Sequence, residues 1–304
     1  MDRNLEDDRD EQHPVQLRAA DVTLFGMFHR PRRQTTDAGV VFLSSGLQSR
    51  AGPHRIYVKT ARSLSSLGLP SLRIDLPGVG DSEGEVLSTN FDCHRAEPVR
   101  TVVDFVRSEL GLRRVLLLGL CAGARVAFKA AARDPRVEGV IAWSVPVISG
   151  SVDMPVAAGG AAYMSKKVAR AQLRYWAPKL ISPGAWARYV SSGKSLKEAR
   201  RMAERTFGAL LPERFRAKSQ EQTEFFRSIE SYIASKRRGL ILYGALDKIP
   251  LSEFTERFGP VTRNETESCS FAVIPGGNHI FSSPSAEHEV IENTKKWIER
   301  HFVG

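Results

Sequence analysis

Cysteine is scarce in this chain of 304 residues: Cys93, Cys121 and Cys269 are the only three. Their number is odd and their spacing fits no metal site, so free thiols in a reducing compartment are the simpler expectation, and with them a cytoplasmic protein. Long apolar runs are lacking too. None approaches the roughly 18 residues needed to cross a bilayer, and the first residues carry no apolar signal segment, so the chain reads as soluble with no membrane partner. No internal repeat is visible. Aspartate becomes rare after Cys121, where only Asp134, Asp153 and Asp247 remain.

What is present is enough for a core: 42% of the residues are hydrophobic, and this length accommodates one large α/β domain or two smaller ones. The formal net charge of +10 is uneven. Between Ser151 and Arg238 there are 18 Lys/Arg against 7 Asp/Glu, whereas the rest of the chain holds 26 against 27. A basic insert of this kind attracts phosphate-bearing carriers, nucleic acid or anionic surfaces, or is merely a solvated helical face. Its basic residues form no recognisable nucleic-acid motif, so nucleic acid is not the expected partner.

Residues 1–12, with six acidic side chains and two arginines, read as a disordered acidic tail. Val15–Ala19 and Val22–Phe28 read as a hairpin turning at Ala20-Asp21. Gly39–Ser44, Ser71–Asp75, Arg114–Leu120 and Val137–Ser144 are apolar runs suited to strands buried on both faces. Helical patterns at Arg55–Leu67, His94–Leu110 and after Ala122 separate them, which predicts a mostly parallel sheet flanked by helices. The alternation stops at Pro146 and resumes with strands at Gly239–Gly244 and Ser270–Pro275 and a last helix ending near Phe302. A core of residues 13–146 and 239–304 with a helical cap insert, 147–238, is therefore expected. The glycine-rich loop Leu76–Gly84 lacks the ending of a phosphate cradle and reads as a structural turn.

The stretch Gly119-Leu120-Cys121-Ala122-Gly123 joins a strand to an Ala-rich helix. A turn this tight strains its central residue and demands small neighbours, and it would raise the Cys121 sulfur over the carboxyl ends of the strands at a helix N-terminus. There the helix dipole favours a thiolate and any oxyanion formed beside it. The opposing reading is a small buried cysteine.

A nucleophile in this position needs a base and a carboxylate to orient it. Of the seven histidines only His279 follows a strand through a glycine turn, with His54 in reserve; His288 and His301 read as surface positions. Asp247 is the one later aspartate just past a strand's carboxyl end, unless it serves as a turn cap. The backbone N–H groups of Ala122 and Leu47 are the expected oxyanion donors, with Gly46 letting the chain approach. Gly46, Trp143 and Trp176 are the residues expected to face substrate. No metal or cofactor is called for.

The order Cys121, Asp247, His279, the glycine-flanked elbow and the insert resemble the α/β-hydrolase fold superfamily. Asp75-Leu76-Pro77-Gly78-Val79-Gly80-Asp81-Ser82 is similar to that superfamily's D-x-x-G-x-G-x-S stretch. Arg50-Ala51-Gly52-Pro53-His54-Arg55, Arg73-Ile74-Asp75 and Gly119-Leu120-Cys121 resemble the hydrolases associated with bacterial exosortase systems. Two departures stand out: Ser45-Gly46 replaces the superfamily's usual His-Gly, and cysteine replaces its usual serine. Similar cysteine elbows occur in dienelactone hydrolases and polyhydroxyalkanoate synthases.

The resemblance implies a hydrolase or acyl-transfer enzyme working on esters or thioesters through a cysteine acyl-enzyme. Coenzyme A or acyl carrier protein, with an anionic phosphopantetheine, would suit the basic insert. The alternatives are an acyltransferase or cyclase, and a hydrolase-fold binding protein without catalysis.

Overall fold

A computed structural model describes residues 11–85, 91–146 and 220–303, with side chains from Ala96 and Glu224 onward in the last two segments. Eight strands make one sheet: β1 (Glu11–Ala19), β2 (Val22–Arg30), β3 (Ala38–Leu43), β4 (Ser71–Ile74), β5 (Arg114–Leu120), β6 (Val137–Trp143), β7 (Arg238–Gly244) and β8 (Cys269–Ile274). Their order across the sheet is β1-β2-β4-β3-β5-β6-β7-β8. The hairpin β1–β2 and the β2–β4 pair are antiparallel, and every later pair is parallel.

The sequence dictates this division. All six residues of β3 and all but the first of β5 are buried, as continuous aliphatic runs are when helices cover both faces. The even-numbered residues Leu116, Leu118 and Leu120 join Phe42, Trp143 and Leu242 in one apolar layer. Helices α1 (Ile56–Ser65) and α7 (Pro284–Phe302) close that layer with Ile56, Tyr57, Leu64, Val290, Trp297 and Ile298. On the opposite face α3 (Ala122–Arg133) packs on β5 and β6 beside α2 (Phe91–Ser108). Helix α4 (Gln220–Ala234) lies against α3, with the Phe128 and Tyr232 rings edge to face at 5.6 Å. Two short helices, α5 (Lys248–Arg257) and α6 (Gly259–Thr262), fill the connection from β7 to β8.

Strand and helix limits fall within a few residues of the sequence expectation, the usual scatter at fraying ends. One boundary moves by more than fraying: Glu11 and Gln12, expected in the tail, pair with Arg30 and His29 in the β1–β2 ladder. The polar composition of those two residues hides a strand that is held by its backbone and exposed along its side chains. Most of the expected cap, with Trp176 in it, lies outside the described residues. The helix expected to end the cap, α4, instead groups with the core from Glu224 onward, because its Phe225, Ile229 and Tyr232 are buried there. No described helix is long and apolar enough to cross a membrane.

Candidate active site

The parallel strands all point their carboxyl ends to one edge, and the loops leaving that edge carry the reactive groups. Strand β5 stops at Leu120 and α3 begins at Ala122, which leaves a single residue for the turn. That residue is Cys121, at φ 55° and ψ −119°. A positive φ at a residue with a side chain costs about 1–3 kcal/mol and persists only where the surroundings impose it. Here they do: the Cys121 N–H donates to Trp143 O at 2.9 Å, and its carbonyl accepts from Ala124 and Arg125.

The flanking glycines are required by contact. A Cβ on Gly119 would lie 2.1 Å from the carbonyl carbon of Gly123, and one on Gly123 would lie 2.5 Å from Leu43 O. The second figure also places the end of β3, and so the loop that follows it, directly against the elbow. In that loop the Gln48 N–H closes a turn onto Ser45 O at 2.8 Å, with Leu47 in its third position. Gly46 adopts φ +56°, yet a Cβ there would touch nothing within 4 Å. Its glycine therefore serves the left-handed backbone, with no other part of the described chain pressed against it. Ala122, first in α3, has an N–H that no helical carbonyl precedes.

The Asp247 and His279 loops come together at the end of β7 and β8, where Leu246 N–H donates to Gly277 O at 2.8 Å. His279 Nδ1 lies 2.7 Å from Asp247 Oδ2. Asp247 occupies the N-cap position of α5 but makes no capping bond with its side chain, which removes the turn-cap alternative. With Nδ1 committed to the carboxylate, Nε2 is the nitrogen left for the Cys121 side chain, which lies near enough to act on the ring. Burial alone would push the imidazole pKa down. The interactions with Asp247 and Cys121, with the charges of both, reverse that and raise it to about 10.

Cys121, Asp247 and His279 thus meet as the sequence suggested, and the chain's own order of elements explains how. The sequence also matches the Alpha/beta hydrolase family over residues 40–292, which is most of the chain and contains all three side chains. The chain belongs to the alpha/beta hydrolase family. Among solved structures, the dienelactone hydrolase of Anabaena variabilis ATCC 29413 is similar at a TM-score of 0.59 and 16% identity, covering 97% of this chain and 100% of that one. The esterase PF2001 of Pyrococcus furiosus gives 0.61 and 17%, covering 97% and 92%. The alpha/beta hydrolase GrgF of Penicillium sp. sh18 gives 0.60 and 17%, covering 97% and 100%. At these identities the likeness is one of fold. No curated protein sequence matches the chain significantly.

Other expected residues go elsewhere. Trp143 is fully buried among Tyr57 and Phe281, with its indole N–H donating to Thr294 Oγ1 at 3.2 Å. It is a core residue and not a substrate contact, because as the last residue of β6 it shares a face with Leu118 and Leu242. His54, the reserve base, has both ring nitrogens engaged, with Glu287 at 2.6 Å and with Ile280 O at 2.8 Å. His301 is half-buried against the Trp297 ring, not simply a surface residue. Among the described residues no cluster of His, Cys, Asp or Glu is arranged to hold a metal ion.

Tyr57 escaped the sequence reading. From α1 its hydroxyl donates to Leu43 O and accepts the Leu120 N–H, at 3.2 and 2.7 Å. It joins the two strand ends that carry the oxyanion loop and the nucleophile. A tyrosine among apolar positions of an amphipathic helix, needing a partner for its hydroxyl when buried, was the available signal.

Proposed function

We propose that the chain is a cysteine-dependent acyl-transfer enzyme, a hydrolase by default, acting on ester or thioester substrates. The observation that supports this most is the strained Cys121 beside an imidazole whose Nδ1 is held 2.7 Å from Asp247.

In the proposed reaction the Cys121 thiol gives its proton to Nε2 of His279 as the sulfur adds to the substrate carbonyl carbon. The carbonyl oxygen becomes an oxyanion beside the N–H groups of Ala122 and Leu47, donors that cost no reorganisation as charge develops. The carbonyl then re-forms as the bond to the leaving alcohol or thiol breaks, and Nε2 of His279 delivers its proton to that group. Water adds to the resulting thioester while losing a proton to Nε2, and Cys121 departs as thiolate. Throughout, Asp247 holds the ring's orientation and stabilises its charged form. Thiolates attack activated acyl groups well but are readily expelled again from an amide adduct, which favours esters and thioesters over peptides.

The basic insert supports a carrier-bound substrate, coenzyme A or acyl carrier protein. A panel of aryl esters, short-chain thioesters and coenzyme A thioesters tests the reading. Turnover is expected to fall at least about 10³-fold in Cys121→Ala and His279→Ala. Coenzyme A thioesters should hold an advantage at low ionic strength that fades as salt is added. Undiminished turnover in Cys121→Ala contradicts the proposal.

A further inference from the structure

The replacement of the superfamily's His-Gly by Ser45-Gly46 raises the question of what holds the oxyanion loop. We propose that Asp75 is the positioning residue for the oxyanion donor: acting through Arg50, it anchors the loop Ser44–Arg50 and so fixes the Leu47 N–H against Cys121. This inference rests on the reading of Cys121 as the nucleophile and of Leu47 as a donor to its oxyanion.

Asp75 follows β4, the strand paired with β3, and is fully buried. Its Oδ1 accepts the Arg50 backbone N–H and its Oδ2 accepts the Arg50 Nη1. The Asp81 N–H adds a bond to Oδ2 at 3.2 Å, and the Arg50 guanidinium reaches Asp81 at 2.7 Å. Arg73 Nη1 holds the Arg50 carbonyl at 3.1 Å. Backbone N–H, carbonyl and side chain of Arg50 are therefore all fixed. The glycine-rich loop serves the same carboxylate, because a Cβ on Gly80 would lie 2.2 Å from Asp75 Oδ2.

At the loop's other end Ser44 Oγ accepts the Leu76 N–H, and Leu43 O accepts from Tyr57. Leu47 hangs between two pinned ends. A buried carboxylate bonded to both the main chain and the side chain of one residue is stiffer than a surface ion pair, because charge-assisted bonds strengthen out of water. Displacing a donor by about 1 Å is enough to cost on the order of 10²-fold in rate.

Two reactions at the same sulfur separate positioning from general loosening. Acylation by an aryl ester passes through an oxyanion; alkylation by iodoacetamide displaces iodide at a saturated carbon and forms none. In Asp75→Asn and Arg50→Ala, acylation of Cys121 is expected to fall by about tenfold to hundredfold, with alkylation changed less than about threefold. Arg50→Lys should recover part of the loss. Arg50 is partly exposed, so its variants decide the matter if Asp75→Asn does not fold. Equal losses in both reactions, or none in acylation, overturn the proposal alone. Ester turnover that survives Cys121→Ala overturns the catalytic reading, and this proposal with it.

Discussion

His279 carries the electrostatic consequence of the site. Its pKa is raised from 6.5 to about 10 because its interactions with Asp247 and Cys121 outweigh burial, so the folded chain binds that proton more tightly than the unfolded chain. By linkage, the stabilisation from this pairing is complete below about pH 6.5 and disappears as pH rises through about 10. His279→Gln is therefore expected to be less stable than the parent at pH 7, with a gap that narrows steadily toward pH 10; urea midpoints across that range measure it. A gap that widens with pH contradicts the assignment. The three side chains were legible because few residues compete for their roles: one cysteine between close glycines, one histidine after a glycine turn, one aspartate past a strand end. Trp143 was misread because position at a strand's carboxyl end does not say which face a side chain takes.

Between elements, Tyr57 has the most exposed consequence. Strand β3 ends where Leu43 pairs with Gly119, so the next N–H of β5, that of Leu120, has no β3 carbonyl beside it. The Tyr57 hydroxyl fills that place. Tyr57→Phe keeps the ring among Phe42 and Trp143 and removes only the oxygen, leaving a buried N–H without its acceptor. The expected cost is about 1–3 kcal/mol, read from denaturant midpoints at unchanged slope. A loss below about 0.5 kcal/mol would mean the strand end is satisfied some other way. Such a bond is invisible in sequence, since it joins residues 63 apart on a helix and a strand whose patterns each report only burial. The Arg50–Asp75 contact is the same kind of feature: both residues stand in noticeable motifs, yet nothing in either motif names the other as partner.

Across the whole molecule, the alternation of apolar runs and amphipathic helices made the sheet and its reactive edge readable. Period-2 and period-3.6 patterns survive wherever one side of an element is buried. The polar start of β1 broke that rule, being fixed by ladder bonds alone. Topology then brings three loops from distant stretches of chain to one edge, and the account stands or falls on what happens at the sulfur placed there. Intact-protein mass spectrometry within the first turnover of an aryl ester or acyl thioester measures this most directly. The account predicts a mass increase equal to the acyl group, carried by the peptide that contains Cys121 and absent from Cys121→Ala. An acyl group found on another residue, or turnover with no covalent adduct at any time, would contradict it.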